Sequence, residues 1–157
     1  MFNWAHVHLM INHFPVVGVI GAFLLLLYAL VRKSEEVKMV SLGAFVLVAL
    51  ITIPVYVTGG FAEDVVKNLP GVTEKLIGQH EDIAFYALIL TASLGIFSLV
   101  GLFLLRRSGK LPQWVISVVL VLSLITMAVT GFTANLGGQI RHTEIRADAP
   151  SSMVPGR

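Results

Sequence analysis

At 157 residues, 56% of them hydrophobic and only 13% charged, with a mean hydropathy of +0.86, the chain is far from the balance of a soluble domain. It contains no cysteine, which excludes disulfides, thiolate metal sites, iron–sulfur clusters and covalently attached c-type haem, and leaves nitrogen, oxygen and thioether ligands for any redox or metal chemistry. The formal charge of +2 carries no nucleic-acid reading, because the basic residues segregate to short loops between apolar stretches and form no basic aromatic surface.

The opening stretch, MFNWAHVHLMINHFP, has no basic region ahead of its apolar residues and no small-residue cleavage pattern, so it reads as mature sequence. A membrane-spanning helix needs roughly 20 apolar residues. Phe14 to Val31 qualifies and stops at Arg32 and Lys33. Met39 to Val57 follows, stopping at Thr58, Gly59 and Gly60. Ile83 to Leu105 stops at Arg106 and Arg107, and Trp114 to Leu136 stops at Gly137 and Gly138. Between the second and third spans, residues 61–69 extend the second helix outward, Pro70-Gly71 makes a turn, and Thr73 caps a helix running into the third span.

Arg32, Lys33, Lys38, Arg106, Arg107 and Lys110 all lie in or beside the two short connections. The positive-inside rule sets those loops in the cytoplasm and both termini outside, in the inner (plasma) membrane of a cell. The expectation is an all-α, up-down-up-down four-helix membrane bundle over residues 1–145, N-out and C-out, with the second and third helices projecting outward. Residues 146–157, rich in Pro, Ser and Gly, read as a flexible tail.

The two halves are similar. His13, a span, Arg32-Lys33, a span and Thr58-Gly59 are followed by His80, a span, Arg106-Arg107, a span and Thr130-Gly131. The pattern predicts an internal twofold in which His13 and His80 are equivalent.

All five histidines, His6, His8, His13, His80 and His142, fall at or just beyond the same ends of the helices. An imidazole in a helix's first turn feels the positive end of the helix dipole, which keeps its neutral, ligating form available. His13 and His80 are expected in such turns, on helices that run in the same direction and sit diagonally across the bundle. They are therefore the expected axial ligands of one b-type haem, with Ala84, Ala87 and Thr91 leaving a groove below His80. His8 lies about 140° around a helix from His13 and would serve another centre. With His142 it forms the candidate pair for a second haem, while Arg141 or Arg146 is placed to neutralise a propionate. His6 reads as an interfacial residue.

The segment HLMINHFPV, from His8 to Val16, resembles the H-P-x-x-V-H-F-P opening of the bacterial membrane-protein family DUF2231, and GGQIRHTEI, from Gly137 to Ile145, is similar to its closing Gly-Gly and Arg-His-Gly region. The histidine that starts the third span is matched too, so the resemblance covers nearly the whole chain. Leu9, Asn12 and Thr143 depart from the pattern. The resemblance implies a four-helix bundle with His8, His13, His80 and His142 as its distinctive positions and a b-type cytochrome role.

Three functions stay open. The first is electron transfer through haem b, one or two per chain, with a quinone, a periplasmic cytochrome or a larger redox complex as partner. The second is copper or zinc binding by the same four histidines, with Glu63, Asp64, Glu81 or Asp82 supplying oxygen. The third is a non-catalytic accessory subunit or oligomer in a membrane redox assembly. An independent enzyme is disfavoured. There is no phosphate-binding glycine loop and no G-x-S-x-G elbow, and His80-Glu81 lacks the second histidine of H-E-x-x-H. No charged residue interrupts any span, which argues against an ion path through the bilayer.

Overall fold

The computed structural model describes residues 3–146. Its elements are α1 (Trp4–Ile11), α2 (Phe14–Arg32), α3 (Glu35–Val66), α4 (Glu74–Ser108) and α5 (Gln113–Arg141), followed by a 3-10 turn at Thr143–Ile145. The chain is all-helical over these residues. Four helical stretches, Trp4–Arg32, Glu35–Val66, Glu74–Ser108 and Gln113–Arg141, are long and apolar enough to cross a membrane. The tail expected beyond Arg146 lies outside the described residues.

Helix ends follow local chemistry. The Asn3 side chain accepts from Ala5 N at 3.0 Å to start α1, Ser34 from Val37 N at 3.3 Å to start α3, and Thr73 from Leu76 N at 3.3 Å to start α4. Gly71, at φ 77°, supplies the left-handed turn between α3 and α4. One break was not legible in advance. Pro15 in the first turn of α2 has no N–H to donate back to Ile11, so the helix from Trp4 is interrupted for two residues at Asn12-His13, and both α1 and α2 pack on α3.

Helices α2, α3, α4 and α5 pack in sequence as a ring, with α5 closing against α2. The core between them includes Val19, Leu26, Leu42, Phe45, Leu94, Val115 and Val119, all essentially inaccessible. Buried hydroxyls stay satisfied on helix carbonyls: Thr52 donates to Val48 O at 2.8 Å, Thr126 to Leu122 O at 2.7 Å, and Ser41 crosses from α3 to Ala22 O of α2 at 2.8 Å. At the end bearing the basic residues, Glu35 bonds Lys38 Nζ at 2.8 Å and accepts from Leu111 N at 3.1 Å, tying the two short connections together.

Close approach relies on small residues. A Cβ added at Gly95 of α4 would sit 2.5 Å from Ala49 Cβ of α3, and one at Gly18 of α2 would sit 2.6 Å from Val48 Cγ2. Replacing Gly95 with valine should therefore overpack the α3–α4 contact and cost about 1–3 kcal/mol, seen as a lower thermal midpoint in detergent. Gly43→Ala, which meets nothing within 4 Å, serves as the control. Equal midpoints for the two variants would contradict the close packing.

Candidate functional site

The end of the bundle that carries α1 and the C-terminus of α5 opens into a cleft of about 1020 Å³, at the upper end of the size of small-molecule sites. His8, His13, His80, His142 and Arg141 all line it, so the structure brings the four expected ligand histidines to one place. His6 is exposed on α1.

Two of these histidines are built alike. His8, half-buried on α1, places Nδ1 3.1 Å from Val55 O of α3 and 3.3 Å from Thr58 Oγ1. His80, half-buried on α4, places Nδ1 3.0 Å from Thr133 O of α5. A carbonyl oxygen only accepts, so each Nδ1 carries the proton and each Nε2 keeps its lone pair. Each ring also lies on a glycine: a Cβ at Gly59 would be 3.2 Å from His8 Cε1, and one at Gly137 would be 3.0 Å from His80 Cε1.

In its surroundings the histidine equivalent to His80 is His8, not the His13 of the sequence pattern, and the glycine equivalent to Gly59 is Gly137 rather than Gly131. The physical reason is the angle around the helix between the two positions: His8 faces α3, while His13 is exposed at the start of α2, where its side chain caps nothing. The helix-dipole argument is corrected too, since α4 begins at Glu74 and His80 lies beyond its first turn. The carbonyl bond, not the dipole, sets its tautomer. Of the expected groove below His80, Ala84 and Ala87 line the cleft, while Thr91 is fully buried and donates to Ala87 O at 2.6 Å.

His142 is exposed, with Nδ1 2.8 Å from Glu144 Oε1. The Glu144 carboxyl is held below its ordinary range by its own backbone N–H and by that imidazole. Asn12, one of the departures from the family pattern, lines the cleft and has a buried Oδ1 with no partner. Glu63, Glu81 and Asp82 line the cleft as well. Even so, among the described residues no three His, Asp or Glu side chains converge closely enough to hold a metal ion by themselves. Sequence reading had no signal for Val55 O and Thr133 O, because a backbone acceptor leaves no residue-type mark.

A long-helix membrane bundle with a cleft lined by four histidines defines the class: an all-α integral membrane protein with a candidate functional site at one end. The family model described as "Predicted membrane protein (DUF2231)" matches residues 5–144, and the chain belongs to that family. No curated protein and no solved structure matches the chain.

Arg146 closes the rim of the cleft. Its Nε donates to Gln139 O at 2.8 Å, Nη2 to Ile140 O at 3.2 Å and Nη1 to Gly71 O at 2.6 Å, fastening the α3–α4 turn to the end of α5. Each of its three nitrogens donates once to a backbone carbonyl. Arg146→Ala should release the turn, read as faster proteolysis near Pro70-Gly71 with the four long helices intact by circular dichroism. Unchanged cleavage would show that the clasp does not hold the turn.

Proposed function

We propose that the chain is a membrane-bound b-type cytochrome-like electron-transfer protein, with one haem held by His8 and His80. The observation that carries this reading is the repeated imidazole cradle: two half-buried histidines in one cleft, each with Nδ1–H on a helix carbonyl and Nε2 uncommitted. Metal-ligating histidines characteristically donate their other nitrogen to a carbonyl or carboxylate, which fixes tautomer and ring orientation and raises ligand basicity. A bound haem would supply one-electron redox chemistry. The chain's own residues would hold it, exclude water along the apolar wall, and offer Arg141 to a propionate.

Two imidazoles without a third protein ligand suit a planar tetrapyrrole better than copper or zinc, whose usual sites take three or four. Arg32, Lys33, Lys38, Arg106, Arg107 and Lys110 cluster at the opposite end of the bundle from the cleft. By the positive-inside rule the cleft then faces the outer side of an inner membrane, where a lipid-soluble quinone or a small periplasmic cytochrome is the natural electron partner.

The test is the oxidised and dithionite-reduced visible spectrum of protein purified from haem-replete cells. Wild type should show a low-spin haem, and His8→Ala or His80→Ala should lose at least nine-tenths of that signal with the helices intact. His13→Ala, the ligand expected from sequence, should keep most of it. Wild type without haem, or a normal spectrum in both of the first two variants, overturns the reading.

A further inference from the structure

We infer that Gly59 and Gly137 are positioning residues: each uncovers a helix carbonyl so that one imidazole docks on it and is held as a single tautomer. In an α-helix the carbonyl of residue i accepts from the N–H of residue i+4 and retains a second lone pair. Helical side chains lean back toward the N-terminus, so the side chain at i+4 covers the region of that carbonyl. Val55 and Gly59 stand in this i, i+4 relation on α3, and Thr133 and Gly137 stand in it on α5. At both places the covering side chain is missing and an imidazole occupies the room.

The distances leave little slack. A Cβ at Gly59 would come within 3.2 Å of His8 Cε1 and 3.6 Å of Nδ1, and one at Gly137 within 3.0 Å of His80 Cε1 and 3.4 Å of Nδ1. Backbone conformation does not demand glycine at either site, since the positive-φ glycines are Gly71 and Gly109. Glycine is also a poor helix former, so these positions weaken their helices unless the space itself is needed. Gly60 and Gly131, on the same two helices, meet nothing within 4 Å and form internal controls. The His8 cradle has a second contact through Thr58 Oγ1 at 3.3 Å, so a methyl there displaces the ring less completely.

The first arm of the test needs no cofactor: ¹⁵N NMR of the histidine rings in detergent-solubilised, haem-free protein. Wild type should show His8 and His80 as Nδ1–H tautomers. Gly59→Ala should shift only His8 and Gly137→Ala only His80, with the larger change at His80, while Gly60→Ala and Gly131→Ala leave both unchanged. Far-UV circular dichroism of the same samples checks that each variant is folded, and the two sites are read separately so that loss of one variant leaves the other informative.

The second arm rests on the haem reading: haem titration should give a dissociation constant raised about 10–100-fold in Gly59→Ala and Gly137→Ala, the range for loss of a ligand-orienting partner. Unaltered tautomers in both folded variants overturn the positioning role, as does wild-type affinity for haem in both. A wild type that takes up no haem, with the tautomer shifts as described, overturns the haem reading and leaves the positioning role standing.

Discussion

The histidine end of this bundle depends on one kind of interaction, an imidazole N–H donated to the side of a helix carbonyl. It occurs twice, from His8 to Val55 O and from His80 to Thr133 O. Each bond joins one helix to its neighbour, orients a ring in the cleft and decides which nitrogen keeps a lone pair. In a setting where water is scarce, a polar ring without such a partner is costly to bury. The same bond that makes the histidine tolerable there leaves the lone pair on its other nitrogen.

The rest of the chain serves that arrangement. Close α3–α4 and α2–α3 packing at Gly95 and Gly18 fixes the walls on which the cradles stand. The Glu35 link to Lys38 and Leu111 N braces the far end, and the Arg146 clasp braces the near one. The cradles differ in their mounting. His80 is part of the 35-residue α4, whereas His8 belongs to an eight-residue helix with no fully buried residue, set on α3 by its own hydrogen bond and by Trp4 against Phe61.

Much of the fold was legible in the residues. Uninterrupted apolar runs, basic stops and the Thr73 cap announce four spanning helices, because hydropathy and capping act over short range. The His8–Val16 and Gly137–Ile145 segments announced the family. That the histidines gather at one end was legible; which of them have like surroundings was not. His13 and His80 look equivalent when each precedes an apolar run, yet it is His8 that faces a neighbouring helix carbonyl as His80 does, while His13 is exposed. The acceptors are backbone atoms, invisible to any count of residue types. The roles of Gly59 and Gly137 exist only in relation to rings on other helices, so no local pattern separates them from Gly60 and Gly131.

Electron transfer through a haem clasped by the two halves of the bundle is tested most directly by anomalous diffraction at the iron edge from crystals of haem-loaded protein. The account predicts a single strong peak in the cleft within bonding distance of Nε2 of both His8 and His80. No peak, or a peak bonded instead to His13 or His142, would contradict it.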